Sequence, residues 1–337
     1  MIVNWGIIGC GDVTEVKSGP GFQQVENSRL VAVMRRDGEK AKDYAARHGV
    51  PFWSNSADEV INHPDVNAVY IATPPGSHLE YALQVCAAGK PAYVEKPMAR
   101  SAAECRKMIE AFDTAGLPLF VAYYRRALPR FLKAKELIES GRIGTVSGVC
   151  YRFAGNSHRS LKADSLPWRW IAEEAGGGQF LDLGCHTLDI LDFMLGSLEG
   201  VQGDAANVAS DCEVEDSVAM QFRLASGGLG IASWNFASDH RLDLIEIAGT
   251  DGEISLSTFG SEPVCLTRGM EHETFDLPNP KHIQQPFIGT IVRHLNGESA
   301  CPSTGATALR TAQVMDAALS RYYGGREDAF WTRPLTP

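Results

Sequence analysis

No uninterrupted apolar run in this chain approaches the roughly 18 residues that a membrane-spanning helix requires, and no tract is repetitive or of low complexity. Positive charge is in deficit: 31 Lys and Arg stand against 41 Asp and Glu, a net of −10. That sign repels polyphosphate, so neither a nucleic-acid partner nor an anionic membrane partner is expected, and any basic site must be local. Cysteine is present but not in pairs. Cys10, Cys86, Cys105, Cys150, Cys185, Cys212, Cys265 and Cys301 contain no C-x-x-C and no zinc-ligand spacing. They read as reduced, mostly buried thiols and not as a disulfide framework or metal site. The opening Met1-Ile2-Val3-Asn4-Trp5 lacks the charged start and cleavage pattern of a secretory signal, so the expected compartment is the cytoplasm.

What is present is an ordinary globular composition, 44% hydrophobic and 21% charged, in 337 residues. At about 150 residues per domain this implies about two domains. The first third alternates short apolar runs with amphipathic stretches, the pattern of a parallel sheet covered by helices on both faces. Strands are predicted at Val3 to Ile8, Leu30 to Met34, Ala68 to Ala72, Ala92 to Val94 and Leu119 to Ala122, with helices at Glu39 to His48, His78 to Ala88 and Ser101 to Ala115. The last helix opens with a Ser101-x-x-Glu104 capping box and closes at Gly116.

After about Tyr123 a further helix, Pro129 to Ser140, leads into a strand-rich region: Val146 to Phe153, Ser217 to Leu224, Gly230 to Phe236, Leu242 to Ala248 and Glu253 to Ser257. Hairpin breaks at Ser226-Gly227-Gly228 and Asp251-Gly252 predict a largely antiparallel sheet. Helices are expected at Phe180 to Leu195 and Ala306 to Tyr322. The expected fold class is therefore α/β: an N-terminal doubly wound parallel domain over residues 1–122, and an α+β domain with a large, mostly antiparallel sheet over residues 123–337.

Gly6-Ile7-Ile8-Gly9-Cys10-Gly11-Asp12-Val13-Thr14 follows the first strand and opens a helix. In that context Gly9 permits a tight turn and Gly11 lets backbone approach a dinucleotide diphosphate at the positive helix end. A G-x-G turn alone is also explained by a β–α turn that needs glycine. Thr14 departs from the usual small third residue. The second strand, which normally delivers an acid to the ribose hydroxyls of NAD, ends here in Met34-Arg35-Arg36-Asp37. One guanidinium at that place can pair with a 2′-phosphate and a second can stack on adenine. NADP is favoured, and NAD stays open through Asp37.

Tyr93-Val94-Glu95-Lys96-Pro97 closes a strand, and the carboxyl ends of strands in such sheets are where ligands bind. With Ala72-Thr73-Pro74-Pro75-Gly76-Ser77-His78, the Tyr124-Arg125-Arg126 stretch, Gly176-Gly177-Gly178 before Asp182-Leu183-Gly184-Cys185-His186, and Pro302-Ser303-Thr304-Gly305 before a long helix, the chain resembles the Gfo/Idh/MocA oxidoreductases over nearly its whole length. The resemblance implies a Rossmann domain and an NAD(P)-dependent dehydrogenase or reductase acting on a small molecule, a sugar, polyol or related secondary alcohol. Lys96, Asp182 and His186 would form its catalytic trio. It further implies that Asp12, Val13, Thr73, Pro74, His78, Glu95 and Lys96 join Gly9, Gly11, Arg35 and Arg36 at the cofactor.

The chemistry agrees with these roles. Moving a hydride from a carbinol carbon needs a group to shift the hydroxyl proton and a cation to stabilise alkoxide character. Histidine suits the first task and lysine the second. Asp182 and His186, four apart, would share a helix face, and Asp189 would continue it. No third ligand accompanies the Asp–His pair, so no metal is expected. Trp168, Arg169 and Trp170 either wall a polyhydroxylated substrate or pack in a core. Arg125 and Arg126 can serve an acidic substrate group, the cofactor or a partner helix, and the sequence does not choose among them. A homodimer or homotetramer is expected, through pairing of sheet faces. A catalytically inactive dinucleotide-binding regulator of the same fold is the alternative, against which the retained Lys96, Asp182 and His186 argue.

Overall fold

The computed structural model describes residues 1–156 and 166–333 of the chain. Its first half runs β1 (Val3–Ile8), α1 (Asp12–Val16), α2 (Gly19–Gln24), β2 (Ser28–Met34), α3 (Gly38–His48), β3 (Phe52–Ser54), α4 (Ala57–Ile61), β4 (Ala68–Ile71), α5 (His78–Ala87), β5 (Ala92–Val94), α6 (Ala102–Ala115) and β6 (Leu119–Val121). These strands form an all-parallel sheet ordered β3-β2-β1-β4-β5-β6. The order reverses between β1 and β4, the switch point at which such sheets leave a crevice at the strand ends. Buried on both faces, β4 is apolar throughout, as a central parallel strand must be.

The second half runs α7 (Pro129–Glu139), β7 (Val146–Asn156), α8 (Ala172–Ala175), α9 (Cys185–Leu195), β8 (Leu198–Ala206), β9 (Ser217–Leu224), β10 (Leu229–Asn235), β11 (Ala237–Gly249), β12 (Glu253–Leu256), β13 (Val264–Arg268), β14 (Glu271–Phe275), α10 (Gln285–Leu295) and α11 (Gly305–Tyr323). The sheet order is β14-β13-β12-β11-β7-β10-β9-β8. Its neighbours are antiparallel except β7 and β10, which run parallel. In β9 the buried Val218, Met220, Phe222 and Leu224 alternate with less buried residues, so one face makes a core and the other stays open. Trp234 of β10 meets Phe180 edge-on at 4.8 Å, and Gly203 of β8 admits the α11 backbone at Ala318, which marks the covered face.

Packing groups Met1–Ala99, Glu104–Leu128 and Pro280–Leu309 into one compact unit and Arg100–Ala103, Pro129–Asn279 and Arg310–Pro337 into another. Residues 280–309 thus pack with the first unit. Phe287 of α10 faces Tyr93 at 5.8 Å, within an aromatic cluster of Trp5, Phe22, Tyr70 and Tyr93, and that apolar contact recruits the segment.

Other differences from the sequence expectation have local causes. The helix after the glycine turn is broken into α1 and α2, and a Cβ at Gly19 would stand 2.1 Å from Thr14 O and 2.3 Å from Tyr44 Oη. Strand β3 is three residues long, too short to show a period. Strands β8, β13 and β14 and helix α10 carry too few alternating apolar residues, or too weak a boundary, to have been expected. Residues 180–195 are not one α-helix: Phe180–Gly184 forms a π-helical turn that leads into α9. A Cβ at Gly184 would lie 2.4 Å from the Phe180 ring, so the glycine admits that ring. Among the described residues no helix is long and apolar enough to cross a membrane.

Candidate active site

In the first unit, β1 turns through Gly9-Cys10-Gly11 into α1. Gly9 has φ +89°, where an L side chain is strained, and a Cβ there would stand 2.8 Å from Thr73 Cγ2 and 3.1 Å from the Ala72 carbonyl. Gly9 N and Cys10 N both donate to Met34 O at 2.9 Å, which ties the turn to the end of β2. Gly11 differs: a Cβ there would meet nothing nearer than Gly9 O at 3.9 Å. Gly9 is required by the turn itself, whereas Gly11 leaves an open backbone cradle of the kind that fits a diphosphate. Asp12 is exposed and Val13 half-buried at the start of α1. Thr14 is wholly buried; its Oγ1 donates to Gly11 O at 2.8 Å, so the turn absorbs its side chain.

Arg35 is half-buried and Arg36 exposed at the end of β2. Burial pushes the Cys10 thiol up to about 11, and the Arg35 charge partly offsets that rise, which places the guanidinium's field on the glycine turn. Asp37 caps α3: Oδ1 accepts from Lys40 N at 3.2 Å and Oδ2 lies 3.4 Å from Lys40 Nζ. The backbone bond from Lys40, followed by the Lys40 side chain, holds this carboxyl below its ordinary value.

The exits of β4 and β5 carry the remaining residues expected at the cofactor in this unit. Thr73 Oγ1 accepts from Ser77 Oγ at 2.8 Å, beside half-buried Pro74. His78 is fully buried, with Nε2 2.7 Å from Thr73 O and Nδ1 3.1 and 3.2 Å from Pro97 O and Met98 O. It staples the β4 exit to the loop beyond Lys96, and its desolvation pulls its pKa down. Glu95 is buried as well. Its Oε1 accepts from Tyr70 Oη at 2.5 Å and Gln284 Nε2 at 2.7 Å, and its Oε2 accepts from Lys96 N at 3.1 Å. Lys96 is half-buried, at the C-terminal end of the sheet where it was expected.

In the second unit Gly176, Gly177 and Gly178 lead into the π-turn. Gly176 has φ +85° and touches the Arg100 backbone. Gly178 N donates to both oxygens of Glu215, at 2.9 and 3.0 Å, while Tyr323 Oη donates to Glu215 Oε2 at 2.6 Å. Burial raises the Glu215 pKa against these bonds. Asp182 lies in the π-turn and accepts from Arg169 Nε at 3.0 Å, while the Arg169 guanidinium stacks 4.2 Å over the Trp168 ring. The structure therefore joins Trp168, Arg169 and Asp182, and sends Trp170 into a core with Cys212 and Val214. His186 follows on α9, buried, with the Phe259 ring edge-on at 6.0 Å. Asp182 lies in the π-turn and His186 in the α-helix that follows it, and such a widening recurs at functional sites. Asp189 is buried against Thr311 Oγ1 at 3.5 Å and is not presented outward.

Arg125 and Arg126 are buried: Arg125 Nη1 donates to Tyr124 Oη at 3.1 Å and Arg126 Nη1 to Pro302 O at 3.1 Å, both within the first unit. Sequence reasoning missed Gln284, Glu215 and Asp243. Asp243 accepts from Thr258 N, Phe259 N and Gly260 N at 3.1, 2.6 and 3.3 Å and so fixes the loop that carries Phe259. None of the three has a motif spacing, and Glu215, beside Glu213 and Asp216, reads as solvated acid.

Residues 3–123 match the family described as "Oxidoreductase family, NAD-binding Rossmann fold", and residues 131–255 match "GFO/IDH/MocA C-terminal domain". "Oxidoreductase P35" of Formosa agariphila is 38% identical over 93% of this chain and 97% of its own. "1,5-anhydro-D-fructose reductase" of Ensifer adhaerens is 28% identical over 89% and 90%. A levoglucosan dehydrogenase solved with NADH and levoglucosan superposes with a TM-score of 0.84 at 21% identity, covering 95% and 97% of the two chains. The cofactor class is thus a nicotinamide dinucleotide.

The two glycines separate in experiment. Gly11→Ala should weaken dinucleotide binding by at least about tenfold, ~1.4 kcal/mol, in titration calorimetry and leave Tm unchanged. Gly9→Ala should lower the stability of the unliganded chain by about 1–2 kcal/mol or more, from backbone strain alone. Equal effects of both substitutions on Tm would contradict the assignment.

Proposed function

Because the chain belongs to the Gfo/Idh/MocA family of oxidoreductases, we propose that it exchanges a hydride between NADP(H) and a sugar, polyol or related secondary alcohol or carbonyl. The observation that carries this reading is an open glycine cradle at Gly11 and a lysine, Lys96, at the C-terminal ends of two strands of one parallel sheet. The dinucleotide, when bound, supplies the two-electron donor or acceptor at its nicotinamide ring.

The chain's own residues supply the rest. Gly9, Gly11, Asp12, Val13, Thr73 and Pro74 hold the dinucleotide, with His78 and Glu95 fixing the loops behind them. Lys96 opposes the negative charge that develops on the substrate oxygen. His186 takes the hydroxyl proton in oxidation and returns it in reduction. Asp182 orients substrate, with Trp168 and Arg169 beside it as an amphipathic wall. A sugar-like substrate accords with the relative named for 1,5-anhydro-D-fructose reduction. The dinucleotide role belongs to residues 1–122, with which 280–309 pack, and the substrate and oligomerisation role to the remainder of 123–337. NADP is preferred over NAD because Arg35 and Arg36 stand where an acid would serve ribose hydroxyls, while Asp37 is engaged with Lys40. Eight free thiols fit a reducing compartment, the cytoplasm.

The open face of the second sheet supports a homo-oligomer, dimer or tetramer. Leu229 and Ile231 are 59% and 57% exposed there, and a shallow cavity of about 590 Å³ is lined by Cys150, Arg152, Gln221 and Ile231 among others. An apolar strip of this kind on a flat sheet is well covered by its own copy about a two-fold axis.

Three measurements test the proposal. Lys96→Met should lower kcat by about 10²–10³ with little change in dinucleotide affinity, and His186→Ala should lower it by about 10²–10⁴; near-normal turnover in both would remove the catalytic assignment. The unmodified chain should bind NADPH more tightly than NADH, and Arg35→Asp should shift that preference toward NADH by about 1–3 kcal/mol. Equal affinities before substitution would contradict the NADP reading. Light scattering at micromolar concentration should give a mass of two or four chains, and Ile231→Glu should reduce it; a monomeric mass for the unmodified chain would contradict association.

A further inference from the structure

Gln284 stands near the start of the segment that returns to the first unit, just ahead of α10, and has no exposed surface. Its backbone N donates to Lys17 O at 3.1 Å, and two residues earlier His282 Nδ1 lies 2.7 Å from Val16 O. The segment is thereby pinned to the end of α1, the helix that starts at the Gly11 cradle. The side chain then reaches the other strand exit. Tyr93 Oη donates to Gln284 Oε1 at 2.8 Å, and Gln284 Nε2 donates to Glu95 Oε1 at 2.7 Å.

Glu95 is consequently held from two sides by Gln284 and Tyr70, which leaves its other oxygen to accept from Lys96 N. A primary amide is the side chain whose chemistry fits this position: it accepts from a phenol on one arm and donates to a carboxylate on the other. Tyr70 and Tyr93 stack with ring centroids 4.6 Å apart, so the phenols that frame the amide are themselves held in place. A buried carboxylate with this many fixed donors has little freedom to turn, and neither does the main-chain amide it grips.

We propose that Gln284 is a positioning residue for Lys96, acting through the Glu95 carboxylate and the Lys96 main-chain amide. The proposal rests on the catalytic reading of Lys96 given above. Gln284 touches no reacting atom. It sets the direction in which the Lys96 side chain leaves the backbone, and it links that direction to the end of α1. Misplacement of a catalytic group by about 1 Å is worth about 10²-fold in rate.

The test uses the full chain and three variants. Gln284→Leu removes both amide bonds at similar volume. Gln284→Asn keeps an amide but shortens its reach by one methylene, so it loses the bond to Glu95 while staying polar, and it serves if Gln284→Leu does not fold. Lys96→Met is run beside them. Turnover is followed by absorbance at 340 nm with the best substrate from D-glucose, D-xylose, levoglucosan and glycerol. Dinucleotide affinity is read by calorimetry. A readout independent of turnover is the acetylation rate of Lys96 by an N-hydroxysuccinimide ester, relative to exposed Lys107, from peptide mass spectrometry of the unliganded chain.

The expected result is a fall in kcat of about 10- to 100-fold in Gln284→Leu and in Gln284→Asn. Dinucleotide Kd should stay within about threefold, and the Lys96 to Lys107 labelling ratio should change by at least about threefold. A folded Gln284→Leu or Gln284→Asn with unaltered kcat and labelling ratio overturns the proposal. If Lys96→Met itself keeps full turnover, the catalytic reading fails instead; the labelling ratio still decides whether Gln284 positions Lys96.

Discussion

A carboxylate taken out of water must collect hydrogen-bond donors, and this chain uses that requirement to grip the backbone next to its functional side chains. Glu95 is held by Tyr70 and Gln284 and takes the main-chain N–H of Lys96. Glu215 is held by Tyr323 and takes the main-chain N–H of Gly178, four residues before Asp182. Asp243 takes three successive N–H groups of the loop whose Phe259 meets the His186 ring. In each case a buried or half-buried acid fixes a short stretch of backbone beside a residue proposed for the site. The same logic extends to His78, whose buried ring joins two strand exits through three carbonyl oxygens.

Glycine supplies the other half of the arrangement, since backbone can be gripped closely only where side chains are absent. A Cβ at Gly178 would lie 2.1 Å from Glu215 O, and one at Gly9 would press on the exit of β4. Gly11 alone among these leaves its space open, which is why it, and not Gly9, reads as the place where a ligand approaches.

Much of the fold was legible because parallel strands buried on both faces are continuous apolar runs: β1 and β5 match their predicted bounds, and β2, β4 and β6 are shifted by at most two residues. Short β3 and the polar strands β8 and β14 carry no such signal. Of the candidate site, the residues proposed to do chemistry were visible as motifs, because glycine turns, the strand-end Lys and the Asp–His pair sit at fixed offsets. The residues that hold them were not. Gln284 lies 189 positions from Glu95, and only the folded chain brings them together. The π-turn at Phe180–Gly184 was equally hidden, since a helical period and its local widening look alike over five residues.

The central claim is that this arrangement catalyses hydride exchange and does not merely bind a dinucleotide. The most direct measurement is transfer of deuterium from NADPH deuterated at nicotinamide C4 to aldose, ketose and anhydro-sugar acceptors, read by mass spectrometry of the sugar. The account predicts catalytic incorporation of one deuterium at the reduced carbon, many times per chain. Tight NADPH binding with no incorporation in any acceptor would contradict it and leave a dinucleotide-binding regulator as the reading.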